Sequence, residues 1–271
     1  MAFDINNFVI DHVIRGMMFS TADGSYMWSI NQITDPSLSI TSETADAVDA
    51  LGSVIASFNR GKAAEFSASN SLFDLGLFAA QQGVSKTVAS ETAKIVVPAF
   101  ETLTIATGDT TKVLKHTPVE VNAEGKPVLK ALYQLKGDGT LGTKYEVGTS
   151  ASATKFVFDG DTNTITLPTG LANGTELLAM YDYENASAVA VSGDAINFPK
   201  AGRFVMEILG TDTCDPTTLI HAFLEFPNAK LDAAVDVSFT TDGNHPFTIK
   251  ANQNYCDSKK LLFNLIIPEE A

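Results

Sequence analysis

The sequence predicts a mainly β protein, and three of its features carry that prediction. Apolar and polar residues alternate with a period of two in several stretches, as they do along strands with one buried face. Clusters of Gly, Asp, Asn and Pro separate these stretches at short intervals, which is typical of the turns in all-β proteins. Only one segment has convincing helix signals. We therefore expect a β-sandwich or barrel with one short α-helix, and a second β-sandwich.

The N-terminal segment begins with a predicted hairpin. Residues 13–33 alternate and then break at Ala22-Asp23-Gly24-Ser25, where Asp-Gly supplies the positive φ of a tight turn. Residues 37–44 are predicted to form a half-buried strand with Leu38 and Ile40 on one face. Further strands are predicted at Ser53–Phe58 and Ala63–Ala68.

The one predicted helix begins near Ser71. Ser71-Leu72-Phe73-Asp74 has the form of a capping box, and Leu75 and Ala79 continue the face that Leu72 begins. Gly83 is expected to end the helix. A helix of about three turns is marginal alone, so it must pack on a sheet. The side chains expected to make that contact are Leu72, Phe73, Leu77 and Phe78.

The middle of the chain reads as short strands with regular turn signals, which suits an immunoglobulin-like β-sandwich. Its predicted strands are Leu103–Ala106, Lys112–His116, Ala131–Leu135, Lys155–Phe158, Thr164–Leu167 and Leu177–Tyr183. Longer, more apolar strands follow at Arg203–Leu209, Leu219–Phe226, Val235–Thr240 and Leu261–Ile267. We expect a main domain built from residues 1–98 and 195–271, with residues 99–194 inserted as the sandwich. A linear two-domain arrangement is the alternative.

The net charge of −14 and the pI near 4.6 limit the partners of the chain. Tight binding to nucleic acid needs Lys and Arg to replace condensed counterions, and anionic membranes also attract basic segments. No apolar run approaches the roughly 20 residues that span a bilayer. We therefore expect a soluble protein that binds no membrane.

The N-terminus and the cysteines predict the redox state. The start Met-Ala-Phe-Asp lacks the basic and apolar regions of a secretory signal, so we expect assembly inside a cell and reduced thiols. Cys214 and Cys256 are expected to be a buried, reduced pair, and a disulfide is the less favoured alternative.

Three motifs suggest a ligand or catalytic site, and each is better explained by structure. Residues 137–142 match G-x-G-x-x-G, but a strand pattern follows where a dinucleotide site needs a helix. Residues 159–163 open like a calcium loop, but Thr164 and Gly170 replace its required Gly and Glu. The four histidines are scattered singly. We therefore expect no enzyme activity, cofactor, metal or small-molecule substrate.

Both ends of the chain resemble the major tail tube proteins of tailed bacteriophages. Residues 39–70 read SITSETADAVDALGSVIASFNRGKAAEFSASN and are followed by SLFDLGLFAAQQG. The C-terminal segments that match are FPKAGRF from residue 198, EFPNAK from residue 225 and FTTDGNHPF from residue 239. The middle segment is similar to the immunoglobulin-like decorations of phage virion proteins.

This resemblance implies a tail-tube-type sandwich or barrel whose subunits polymerise as stacked rings, usually hexameric. It implies a place in the virion tail, assembly in the cytoplasm of the bacterial host, and contacts with sister chains and other tail proteins. Viral DNA would pass through the tube during ejection without specific binding. The alternatives are a capsid or head-decoration protein of similar composition, a surface adhesin with immunoglobulin-like domains, which would need export, and a β-sandwich carbohydrate-binding module or enzyme.

The mode of assembly is expected to rest on unpaired strand edges. The predicted strands at 203–209 and 235–240 contain no Pro to block pairing, so sister chains can add to them. Carboxylates lining the lumen of the tube would repel DNA phosphates. The candidates for that lining are Glu43, Asp46, Asp49, Glu207 and Asp236. The alternative is that these residues only keep the protein soluble.

Overall fold

The computed structural model describes residues 7–241, 243–253 and 259–269, and it is mainly β with one helix. The helix α1 is Leu75–Gln81. The strands in chain order are β1 (Phe8–Ser20), β2 (Tyr26–Ile30), β3 (Ile33–Val48), β4 (Val54–Asn70), β5 (Thr87–Val88), β6 (Ile95–Thr104), β7 (Thr111–Val113), β8 (Ala131–Leu135), β9 (Leu141–Val147), β10 (Lys155–Asp159), β11 (Thr164–Thr166), β12 (Glu176–Asn185), β13 (Val189–Ala190), β14 (Gly202–Asp212), β15 (Asp215–Leu231), β16 (His245–Ala251) and β17 (Asn264–Ile266).

The chain forms two compact units. Unit 1 combines Met1–Lys86 with Val191–Ala271, and unit 2 is Thr87–Ala190. Both ends of the chain therefore belong to one unit, with the middle segment as the other. The immunoglobulin-like character of the middle segment, and its independent folding, stay predictions.

Unit 1 is built on one large antiparallel sheet with the strand order β2-β1-β14-β15-β16-β4-β3, and β17 pairs with β15. The predicted N-terminal hairpin is confirmed as β1 and β2, with Gly24 at φ 70° in the turn. The two strands predicted at 53–58 and 63–68 are one continuous strand, β4. Strand β14 lies between β1 and β15, so the prediction that residues 203–209 form a free edge is wrong.

The core of unit 1 lies on one face of this sheet. Along β14, Phe204, Met206 and Ile208 are buried, while the residues between them face the other side. The rings of Trp28 and Phe66 lie 5.7 and 6.3 Å from the ring of Phe204, within the range of favourable aromatic contacts. Burying each such aromatic side chain stabilises the fold by about 1.5–3 kcal/mol.

Helix α1 begins after Asp74, three residues later than the sequence pattern predicts. The Asp74 carboxylate accepts a hydrogen bond from the Leu77 N–H at 2.7 Å, so Asp74 is the N-cap. Gly83, at φ 70°, follows the helix end as predicted. Leu77 is fully buried, but Leu72 is 63% exposed, so the expected contact of Leu72 with the sheet is wrong.

Unit 2 contains a seven-stranded sheet with the order β6-β12-β8-β9-β10-β11-β7, and β5 pairs separately with β13. The six strands predicted in this segment are present, Ala131–Leu135 with its predicted ends and the other five with shifted ends. Strands β9 and β10 run parallel, whereas every other adjacent pair in the sheet is antiparallel. Tyr181 donates a hydrogen bond to the buried Glu101 carboxylate at 2.7 Å, so the core keeps a paired polar group.

Several predictions in the C-terminal segment require correction. Residues 235–240 form no strand, and the strand that completes this part of the sheet is β16, which the sequence pattern missed. Cys214 is exposed rather than buried, and Cys256 lies outside the described residues.

Candidate assembly surface

The most exposed part of unit 1 is a two-stranded ribbon, residues 41–63, formed by the far ends of β3 and β4. Strand β16 pairs with β4 only from Glu65 to Asn70. Residues 54–63 of β4 pair with β3 on one side, and the part of the chain that the structure describes offers no partner on the other. At about 3.3 Å per residue, these ten residues extend about 33 Å beyond the sheet.

The ribbon exposes apolar side chains on both faces. Leu51 at its tip is 91% exposed, and Ile55 and Phe58 are 69% and 56% exposed. The other large apolar side chains exposed along the ribbon and next to it are Leu38, Ile40, Val48 and Val54. Exposed apolar side chains grouped in one region in this way are typical of a protein contact. The prediction that residues 37–44 form a half-buried strand is therefore wrong for the single chain, in which this strand is exposed on both faces.

The ribbon also carries the free strand edges that the assembly hypothesis needs. Strand β3 ends the sheet order, so its outer backbone groups lack a strand partner within the described part of unit 1. The outer edge of β4 is free in the same way over residues 54–63. These edges replace the two expected from the sequence, residues 203–209 and 235–240.

Three of the five acidic residues singled out in the sequence lie on the ribbon. Glu43 pairs across the strands with Arg60, and Asp46 accepts a hydrogen bond from the Ser57 hydroxyl at 2.5 Å. Successive side chains along a regular strand point to alternate faces. Glu43 and Asp46 are three residues apart, so they point to opposite sides of the ribbon. Asp49 lies in the tip, where its carboxylate caps backbone N–H groups. The three carboxylates are all exposed but do not share one surface.

The other two acidic residues lie elsewhere in unit 1. Glu207 is largely covered, and its carboxylate accepts a hydrogen bond from Arg15 Nε at 2.5 Å and lies 2.9 Å from His221 Nδ1. The Arg15 guanidinium, with a smaller contribution from His221, lowers the pKa of Glu207 against the opposing effect of burial. Glu207 is therefore not the free, exposed carboxylate that the sequence pattern suggested. Asp236 is exposed, but in a segment without strand structure.

A groove lies beside β2, at the end of unit 1 where the ribbon strand β3 starts. It has a volume of about 770 Å³ and runs between β2 and α1. Its apolar lining includes Trp28, Ala80 and Leu231. Lys86 and Lys200 also line it. Both lysines are exposed, and neither has a carboxylate partner within 4 Å among the residues the structure describes.

A buried polar network fixes the helix that forms one wall of this groove. His245 Nε2 lies 2.7 Å from Gln81 Oε1, and the Asp74 N–H points at His245 Nδ1 at 3.4 Å. Gln81 Nε2 donates to the Pro246 carbonyl at 3.0 Å. Burial lowers the pKa of His245, which favours the neutral ring, in which Nδ1 accepts the hydrogen bond from the Asp74 N–H and Nε2–H donates to Gln81 Oε1. Strand β16 thus holds both ends of α1.

The described residues contain no group of three or more His, Cys, Asp or Glu side chains arranged to hold a metal ion. No helix among them is long and apolar enough to span a membrane. The features of this surface are instead those of a protein contact, namely free strand edges, bare apolar side chains and a groove.

Comparison with known proteins agrees with this description. The model of the YomU/Tube protein family matches residues 8–259, which is most of the sequence. The chain belongs to the YomU/Tube protein family. No curated protein matches the sequence. Family membership indicates a phage tube-like structural protein of the virion tail that assembles with copies of itself and with other phage proteins. The resemblance drawn from the end segments of the sequence is confirmed at this level.

The sequence missed the residues that define the assembly surface. Alternation identified the ribbon strands correctly but assigned Leu38 and Ile40 to a core. The signal that could have located the ribbon is its length, because two alternating stretches joined at Asp49–Ser53 are longer than strands in compact domains usually are. Lys86 and Lys200 carry no sequence signal, because the fold alone brings them to one groove.

Proposed function

We propose that this chain is the major tail tube subunit of a tailed phage and that it polymerises as stacked rings, six chains to a ring. The tube forms in the cytoplasm of the bacterial host and joins other tail proteins in the virion. The observation that supports this proposal is the ribbon of residues 41–63, with two free edges and bare apolar side chains.

The ribbon gives a physical reason for ring formation. A two-stranded ribbon is at best marginally stable in water, so its extension beyond the sheet needs further strands. The free edge of β3 in one copy can pair with the free edge of β4, residues 54–63, in the next copy. The two edges differ, so the contact is head-to-tail, and such contacts close into a ring when the rotation between copies allows it.

Burial of the ribbon side chains supplies the association energy. Each large apolar side chain that becomes fully buried contributes about 1.5–3 kcal/mol. Ile55 and Phe58 alone offer two such contributions per contact, and the strand edges add backbone hydrogen bonds. Association costs an estimated 4–15 kcal/mol in lost motion, so several ribbon side chains must be buried together.

The tube acts as a conduit through which DNA leaves the head without specific binding. The net charge of −14 opposes contact with phosphates, and that repulsion is strongest at low salt. Asp46 shares its ribbon face with the polar Ser57 and Asn59 and, nearer the tip, with the exposed pair Val48 and Val54, and we assign the polar stretch around Asp46 to the lumen. The opposite face carries Phe58 beside the charged pair Glu43 and Arg60, and we assign Phe58 to a protein contact. Glu207 contributes little repulsion because the Arg15 guanidinium offsets its charge.

Negative-stain microscopy of the purified protein tests this proposal. We expect rings and tubes from the natural sequence, and monomers from the double variant Ile55→Asp/Phe58→Asp, because charges on the ribbon oppose its burial. The matched control is Val113→Asp, at a side chain of unit 2 that is 63% exposed. This control should assemble normally.

The thermal midpoint of each variant monomer should stay close to that of the natural monomer, because the substituted side chains are already exposed. Monomers of the natural protein at every concentration and salt would overturn the proposal. Closed shells in place of tubes would instead support the capsid alternative.

A further inference from the structure

The tip of the ribbon and the groove beside β2 lie at opposite ends of strand β3. The groove is lined by Tyr26–Ser29, just before β3 begins at Ile33, and the tip follows β3 at Asp49. Sixteen strand residues at about 3.3 Å each separate the two features by about 50 Å along the strand. A tip therefore reaches the groove of another copy, not its own.

The tip has a shape that suits insertion. The Asp49 carboxylate accepts hydrogen bonds from the N–H groups of Leu51 and Ser53, each at 2.8 Å, and Gly52 adopts φ 85°. These contacts fix the turn so that Leu51 projects with 91% of its surface exposed. A fixed, projecting leucine loses little further conformational freedom when a groove covers it.

The charges of the tip and the groove are complementary. Residues 44–59 contain two aspartates and no lysine or arginine. The groove presents Lys86 and Lys200, which lack carboxylate partners among the described residues, above an apolar floor that includes Trp28, while the acidic lining residue Asp74 is engaged as the N-cap of α1. An apolar tip with a carboxylate beside it thus matches an apolar groove with cations at its margin.

We propose that the ribbon tip of one copy inserts Leu51 into the β2–α1 groove of a second copy, with Asp49 beside Lys86 and Lys200. The proposal rests on the proposed self-assembly and assigns the contact between successive rings. Tip and groove are different surfaces, so the contact is head-to-tail and repeats along an open stack. Asp49 then serves at the ring junction rather than in the lumen.

A disulfide trap tests the contact in the full chain. In a Cys214→Ser/Cys256→Ser background, the double variant Leu51→Cys/Ser85→Cys places one thiol on the tip and one on an exposed groove residue. Mild oxidation of the assembled protein should give a ladder of covalent multimers on a non-reducing gel. Leu51→Cys alone should give dimers at most, and Leu51→Cys/Val113→Cys should give no ladder.

A charge variant provides a second readout that does not depend on thiols. Lys86→Glu/Lys200→Glu removes two cations and adds two anions beside the acidic tip, a net change of −4. We expect rings to form but tubes longer than one ring to be lost at low salt, with partial recovery as salt screens the repulsion. Adding Ala50→Lys to this double variant places a cation on the tip opposite the new glutamates, so it should restore stacking.

The outcomes separate this proposal from the one on which it rests. Tubes of the natural protein together with no ladder above the Val113 control would overturn the tip contact and leave the tube proposal standing. Unchanged tubes in the lysine double variant would overturn the role of charge at the groove. Absence of any assembly by the natural protein would overturn both proposals.

Discussion

Strand β4 contains two regions that differ only in what covers them. Its last residues, 64–70, alternate strictly between buried and half-buried side chains, because β16 and the core lie beside them. Its first residues, 54–63, remain mostly exposed on both faces. The sequence is typical of a strand in both regions, so alternation identifies a strand with two different faces but does not show what covers either face. Under the proposed assembly, another chain covers the second region.

The sharpest test of this difference compares two phenylalanines of β4. Phe66 is 1% exposed and Phe58 is 56% exposed. Phe66→Ala should destabilise unit 1 by about 3–5 kcal/mol, because it opens a cavity in the core. Phe58→Ala should change monomer stability by no more than about 0.5 kcal/mol, yet raise the concentration at which assembly begins. Chemical denaturation measures the first effect and sedimentation the second.

The two variants are matched controls for each other, because both remove a phenyl ring from β4 and differ only in the region of the strand. Equal losses of monomer stability in the two variants would show that the ribbon packs within its own chain. Phe58→Ala with unchanged assembly would remove Phe58 from the contact.

The local elements of the fold could be predicted from the sequence, and the pairing partners could not. The Asp-Gly turn located the first hairpin, and Gly83 located the helix end, because these residues act over a few positions. Strand β14 is free of Pro, which would leave it open to pairing if it were an edge, but it lies inside the sheet between β1 and β15. Its neighbours β1 and β15 are set by long-range packing, which a local pattern does not record.

The candidate site shows the same division. The acidic residues of the ribbon could be found from composition, but their faces follow from the register of β3 against β4. Glu207 looked free because Arg15 lies far from it in sequence, and the β1–β14 pairing brings the two together. The groove lysines come from separate segments of unit 1, so only the folded chain shows them as one feature.

A second test probes the covered end of β4, where Asn70 pairs with His245. His245→Phe leaves the Asp74 N–H and the Gln81 side chain without their buried partner. Losing such partners typically costs about 1–3 kcal/mol, and we expect that loss in the unfolding free energy of unit 1. Gln81→Glu is a useful comparison, because it keeps an oxygen at the same place and adds charge.

The same histidine predicts a pH dependence. Burial lowers the pKa of His245 in the folded chain below the value of about 6.5 expected when unfolded. The unfolded chain then binds the proton first, so stability should fall as pH decreases from about 6.5 toward the folded pKa. His245→Phe should remove this slope in thermal melts between pH 5 and 7. An unchanged slope in the variant would assign the dependence to other groups.

The smallest expected effect concerns charge on the covered sheet and on the ribbon. The Arg15 side chain is 52% exposed and its partner Glu207 is 12% exposed. Solvent around the exposed arginine screens the pair, so Arg15→Met should cost no more than about 1 kcal/mol of stability.

The contribution of this pair should also depend on pH. Because Arg15 lowers the pKa of Glu207, the contribution of the pair is present above the unfolded carboxyl pKa of about 4.3 and is lost as pH falls below it. Glu43→Gln on the ribbon is the control and should leave monomer stability unchanged, as measured by urea denaturation at pH 7 and pH 4. A larger loss in Glu43→Gln than in Arg15→Met would mean that the ribbon is held within its own chain by charge.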